Sequence, residues 1–182
     1  MRSAPDRIFF HHPGTNDRFT AADIDYARLA KAGLFHFGYP PLMRQMFDHN
    51  GAELIRLFRQ ARETGVVTSL DMALPDPASP AGQAPWDRIL DQLLPDTDLF
   101  LPSLEELLFM LDRSRFQNRR TEAGSGNLID VITAEDATAA ADLALARGAG
   151  VVMIKCGHLG LYLRSGGAER LAPVCRRLGL DR

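Results

Sequence analysis

Cysteine is scarce in this chain: Cys156 and Cys175 are the only two among 182 residues, and they form neither a disulfide framework nor a metal-spaced pair. That excludes a disulfide-stapled scaffold and fits a reducing, cytoplasmic setting. An excess of charge of either sign is also missing. The 21 basic and 23 acidic residues give a formal net charge of −2, with no positive surplus to hold a phosphate backbone and no acidic tail. Nucleic acid is therefore not an expected partner. Long apolar runs are absent too, since the longest, at 107–111 and 148–154, fall well short of the roughly 20 residues that a membrane span needs. Met1 to Arg7 lead directly into a short aromatic strand and lack the apolar segment and small-residue cleavage site of a secretory signal. Neither a membrane nor an exported location is expected. Two phosphate-binding fingerprints are missing as well: no G-x-x-x-x-G-K-[ST] and no G-x-G-x-x-G occurs.

What is present suffices for one core. With 46% hydrophobic and 24% charged residues, the chain has the composition of a folded domain rather than of a disordered one. Residues 34–37, 66–70 and 151–154 are continuous β-rich apolar runs, and 99–101 is a shorter one. Continuous rather than alternating apolarity implies burial on both faces, which predicts strands of a parallel sheet covered by helices. Thr20 with Asp23, and Thr133 with Asp136, each place a hydroxyl at a helix N-cap and an acid in the first turn. Within 51–64, Leu54, Ile55, Phe58 and Ala61 share one face opposite Glu53, Arg56, Arg59 and Glu63, and Gly65 stands where that helix must stop. Strands alternating with helices predict an α/β fold, a three-layer α/β/α sandwich around a mostly parallel sheet with right-handed crossovers. Two stretches break the rhythm. Residues 72–85 contain Pro75, Pro77, Pro80 and Pro85 and read as a long loop. Residues 113–129 are polar and read as a surface insertion. No repeat or linker divides 1–182, which reads as a single domain.

Ligands of open parallel sheets bind beyond the carboxyl ends of the strands, so the polar and glycine residues there are the first candidates. They are Gly38 and Tyr39, Asp71, Ser103 and Glu106, and Lys155, Gly157 and Gly160. In Lys155-Cys156-Gly157-His158-Leu159-Gly160 the glycines let backbone approach a phosphate and the lysine opposes its charge. Two glycines between apolar runs also make a plain hairpin turn. Ser103 and Glu106 have the spacing of a capping box for the helix carrying Leu104, Leu107, Leu108 and Leu111, which is the favoured reading. A first-turn carboxylate aimed at the ligand edge could also hold a hydrated magnesium ion. Asp71 ends a buried strand and must reach solvent, a cation or hydrogen-bond donors. His11 and His12 point to opposite faces of one strand and do not chelate an ion together. His36 reads as a satisfied core histidine, His49 and His158 are isolated, and no histidine is assigned to a metal. Phe116 lies among Arg113, Arg115, Arg119 and Arg120, the shape of a nucleic-acid contact. Arginine outnumbers lysine 19 to 2 throughout, however, so this run reads as a solvated loop.

Taken in order, Phe10-His11-His12-Pro13-Gly14-Thr15-Asn16, Leu34-Phe35-His36-Phe37-Gly38-Tyr39, Val67-Thr68-Ser69-Leu70-Asp71, Asp98 through Ser103 to Glu106, and Val152 through Lys155 and Gly157 to Gly160 resemble the ribokinase-like carbohydrate kinases of the phosphofructokinase B type. The resemblance implies an α/β/α sandwich with a small β lid and transfer of the γ-phosphoryl group of ATP to a sugar or nucleoside hydroxyl, with ATP and Mg2+ as cofactors. Carried over by position, Ser103, Glu106, Lys155, Gly157 and Gly160 would line the nucleotide, with Glu106 in the magnesium-associated acidic motif. Asn16, Gly38, Tyr39 and Asp71 would face the sugar. The chain departs from the family in four places. Ser103 stands where many members have asparagine, and Met72-Ala73-Leu74 replace the Asn and Arg that follow the strand-end acid. No lid segment with a Gly-Gly motif is present. No Gly-Ala-Gly-Asp segment supplies a base and an anion hole, for Gly148-Ala149-Gly150 is followed by Val151. The resemblance thus implies the middle portion of a kinase domain, incomplete at both ends and inactive by itself. The alternative is a non-catalytic interaction or regulatory module derived from one. Uncovered sheet surface would favour a homo-oligomer.

Overall fold

The computed structural model describes residues 12–180. Its sheet has five strands in sequential order, β1 (Leu34–Gly38), β2 (Val67–Asp71), β3 (Leu99–Phe100), β4 (Val151–Lys155) and β5 (Leu161–Ser165). The first four run parallel, and β5 returns antiparallel against β4. All four apolar runs are strands of this one sheet. The strand expected through His11 lies outside the described residues, and His12 is exposed.

Two helix starts behave differently. At Thr133 the capping box with Asp136 opens α7 (Ala134–Ala146) as its sequence indicates. Thr20 and Asp23 also close a capping box, but only a single 3-10 turn follows, because Ile24 is extended. The short α1 (Tyr26–Leu29) starts instead at Asp25, whose side chain accepts the Arg28 N–H. The amphipathic segment is the second part of α2 (Arg44–Glu63), which is broken at Asp48–Gly51. Gly51 has φ +72°, and a Cβ there would come within 2.7 Å of Ile89 Cγ2, so both backbone and packing require glycine. Beyond the break, Leu54, Leu57, Phe58 and Ala61 are fully buried. The loop after β2 contains α3 (Pro80–Gln83), capped by Ser79, and leads into α4 (Trp86–Leu93).

The arginine-rich segment is not the irregular loop its composition indicates. After α5 (Leu104–Leu111), α6 (Arg113–Ala123) forms, with the Asp112 side chain capping it at the Arg115 N–H. Its stability is tertiary. Arg115 and Arg119, one turn apart, both reach Asp136 on α7 at 3.0 and 2.9 Å, and Phe116 packs edge-on against Phe109. A partner on a later helix leaves no trace in local periodicity.

Because strands 1 to 4 follow one another in space, right-handed crossovers place their helices on a single face. The core shows this: Phe37, Leu70, Phe100, Val152 and Ile154 belong to one buried cluster with Phe58, Leu90, Leu107 and Ala140. Residues of the opposite parity point away from it. Among them His36 is exposed, not a core residue, though its Nδ1 lies 3.0 Å from Ser69 Oγ. Leu34, Leu161 and Leu163 are 46%, 55% and 59% exposed. The last helix, α8 (Ala168–Arg177), is fastened at the N-terminal edge of the sheet by Arg170 to the Gly148 carbonyl and Arg177 to Asp98. The exposed leucines of β5 are expected to bind a fluorescent apolar dye. Replacing Leu161 and Leu163 with serine is expected to reduce the dye signal of the 182-residue chain, and an unchanged signal would place that surface elsewhere. Among the described residues no helix is long and apolar enough to cross a membrane.

Candidate functional site at the carboxyl edge of the sheet

Beyond β3 the chain continues between β2 and β4 as far as Ser103, which pairs with Lys155 in an isolated parallel bridge. The Leu101 N–H donates to the Leu70 carbonyl at 2.8 Å, and the Lys155 N–H to that of Pro102 at 2.9 Å. Asp71 and Lys155 end their strands on the same side of the sheet, and Lys155 Nζ lies 2.5 Å from Asp71 Oδ1. The same oxygen accepts the Met72 N–H at 2.7 Å. The charge at the end of the buried strand is thus met by a cation.

Glu106 lies in the first turn of α5. Its Oε2 accepts the Ser103 N–H at 2.6 Å, and Ser103 Oγ accepts the Glu106 N–H at 3.2 Å. The capping box is therefore present. Burial pushes the Glu106 carboxyl above the usual carboxylate range, against the downward pull of the Ser103 amide and the Lys155 ammonium, and the Asp71 charge adds to the rise. A nearby divalent cation would favour its ionised form. Among the described residues no group of three or more His, Cys, Asp or Glu side chains could hold a metal. The donor set fits magnesium only as a mostly hydrated ion that takes one carboxylate, from Glu106, and its remaining ligands from water and phosphate.

Gly38 pairs with Asp71 in the β1–β2 register, and the Tyr39 N–H donates to the Asp71 carbonyl at 3.2 Å. Tyr39 has φ +66°, a left-handed conformation that turns the chain out of β1, and its side chain is half exposed. Gly157 and Gly160 lie in the β4–β5 turn with φ +54° and +95°. That turn is a hairpin closed by the Cys156 N–H on the Gly160 carbonyl at 2.9 Å and the Gly160 N–H on that of Gly157 at 3.1 Å. The Gly160 amide is spent inside the turn, while a Cβ there would meet nothing within 4 Å, so the space beside it is open.

The structure thus brings Gly38, Tyr39, Asp71, Ser103, Glu106 and Lys155 to one edge, with Gly157 and Gly160 just beyond β4. Asn16 stands apart. It is exposed in a 3-10 turn whose next residue, Asp17, accepts the Arg44 N–H at the start of α2. Asp17 helps to line a cleft of about 390 Å³ that sequence reading missed, with Leu42, Arg44, Phe47, Leu74 and Asp76. Its walls follow Tyr39 and Asp71 in the chain, so it opens on the same edge. The one sequence signal for it was the proline-rich loop. Gly82 folds that loop back on itself, since a Cβ there would come within 2.0 Å of the Asp76 carbonyl.

The chain's architecture matches solved structures over 82–86% of its length. It superposes on a PfkB protein from Polaromonas sp. JS666 with a TM-score of 0.54 at 24% identity, and on a fructokinase with bound ATP from Xylella fastidiosa with a TM-score of 0.53 at 19% identity. The fold is ribokinase-like. The chain spans 41–42% of the length of these structures. No protein-family model and no curated protein sequence matches it. In open α/β sheets the carboxyl edge is the ligand edge, and here it carries the lysine, the two carboxylates and the hairpin described above.

Proposed function

We propose that these residues form the nucleotide-phosphate side of an ATP-dependent carbohydrate kinase. The convergence of Lys155, Asp71 and the Ser103–Glu106 cap beyond the carboxyl ends of β2, β3 and β4 carries this reading. A fructokinase of the same fold that holds ATP supports it. Lys155 supplies a half-exposed ammonium for a phosphate oxygen. Glu106 would hold hydrated magnesium, and the β4–β5 hairpin would border the nucleotide. Bound magnesium would supply charge stabilisation for the transferred phosphoryl group. The sugar, or a related hydroxyl compound, would lie toward Gly38 and Tyr39.

Titration calorimetry with Mg-ATP tests the reading. Glu106→Gln keeps an acceptor for the Ser103 amide while removing the charge. It is expected to weaken Mg-ATP about tenfold, the size of one charge-assisted contact, with little effect on ATP in the absence of magnesium. Identical isotherms for wild type and variant would leave Glu106 as a helix cap alone.

A further inference from the structure

We infer that Asp71 is a positioning residue for Lys155 and not a sugar contact, an inference that rests on the reading of Lys155 as a phosphate ligand. The choice of cation is the first observation. The chain has 19 arginines and two lysines, Lys31 and Lys155. Among the described residues every other ion pair is made by arginine, from Arg44–Asp48 to Arg177–Asp98, and the strand-end pair alone uses lysine. An arginine fork would engage the carboxylate with two parallel N–H groups and hold its remaining donors in the same fixed plane. An ammonium has three donors on one atom, so one N–H given to Asp71 leaves two for a ligand.

Exposure is the second. The Lys155 side chain is 42% exposed and that of Asp71 16%. An incoming ligand meets the ammonium first, with the carboxylate behind it. Asp71 Oδ1 already serves two donors, Lys155 Nζ and the Met72 N–H, so the carboxylate is oriented from within the chain and aimed at the ammonium.

The third is what surrounds the pair. The Glu106 carboxyl feels both the Lys155 and the Asp71 charges. Without Asp71, the Glu106 carboxylate would still attract the Lys155 ammonium. An ammonium drawn to it would leave the phosphate position and compete with the cation that Glu106 would hold. Asp71 therefore keeps the lysine and the acid in separate roles.

Two lysines make the test direct. With ¹³C,¹⁵N-lysine the chain gives two sets of side-chain signals, and relaxation at Cε reads the motion of each. In the wild type Lys155 is expected to be restricted relative to Lys31, and in Asp71→Asn to become as mobile as Lys31. Unchanged Lys155 motion in the variant overturns the inference. Calorimetry then separates the ligands. Asp71→Asn and Lys155→Met should each weaken Mg-ATP about tenfold, and the double variant should be no weaker than Lys155→Met alone. Fully additive losses, or a loss of fructose binding with Mg-ATP binding intact, also overturn it. A wild type with a restricted Lys155 that fails to bind Mg-ATP would instead defeat the kinase reading, because the lysine signals do not depend on nucleotide.

Discussion

Assayed with Mg-ATP and a panel of ribose, fructose, ketodeoxygluconate and nucleosides, the 182 residues by themselves are expected to release ADP more slowly than about 1 s⁻¹, the low end of ordinary enzyme rates. Phosphoryl transfer is mostly positioning and charge stabilisation, yet the attacking hydroxyl still needs a base within hydrogen-bond reach and donors aimed at the phosphoryl oxygens. A Gly-Ala-Gly-Asp segment, the source of both that the resemblance to carbohydrate kinases implies, does not occur in these residues. Gly148-Ala149-Gly150 leads instead into β4, and a Cβ at Gly150 would press within 2.6 Å of the Asp98 carbonyl, so that glycine serves strand packing. Asp71 is engaged with Lys155. Loss of general-base help costs about 10²–10⁴-fold, and loss of one oxyanion-type donor about 10²–10³-fold. Sugar-dependent turnover above that rate would show a base elsewhere in the chain.

The variant Asp136→Asn is expected to lose about 3–5 kcal/mol of stability, the cost of breaking a buried ion pair. Asp136 is fully buried. It accepts from Arg115, Arg119, the Thr133 N–H and the Thr133 hydroxyl. Asparagine keeps the cap on α7 and leaves two arginines without their counter-charge. Both arginines are partly exposed, so water offsets some of the loss and the lower end of the range is expected. At about 2–4 °C per kcal/mol for a chain of this size, the melting temperature should fall by roughly 6–12 °C. Asp142→Asn, which removes a solvent-exposed pair with Arg164, should change it little. The pH dependence follows. Burial raises the Asp136 carboxyl, but the Thr133 amide and the two arginines outweigh it and hold it below the ordinary carboxylate range. A depressed folded value contributes stability above the unfolded value near about 3.9, and that contribution fades as pH falls through the lower folded value. The melting temperatures of wild type and variant should therefore converge below about pH 4. A constant gap across that range would mean that the carboxylate charge is not what holds α6 to α7.

The sequence by itself determined the local elements. Unbroken apolar runs marked β1 to β4, because a strand covered on both faces has no polar period to display. Thr133 with Asp136, and Ser103 with Glu106, marked two helix starts, because a capping box closes within four residues. It also brought the lysine, the acids and the glycines to one edge, since strand ends follow from strand direction. The tertiary structure decided which of them meet. Asp71 and Lys155 are 84 residues apart and touch because β2 and β4 flank β3 in one parallel sheet and the lysine side chain crosses the segment between their ends. Arg115 and Arg119 fold into a helix because Asp136 waits on α7, a dependence that composition reads as loop. Three crossovers share one face because sequential strand order and a single handedness leave them no other. Local periodicity records how each segment shields its own backbone and apolar atoms. Pairing between distant charges depends on strand order and register, which belong to the assembled sheet.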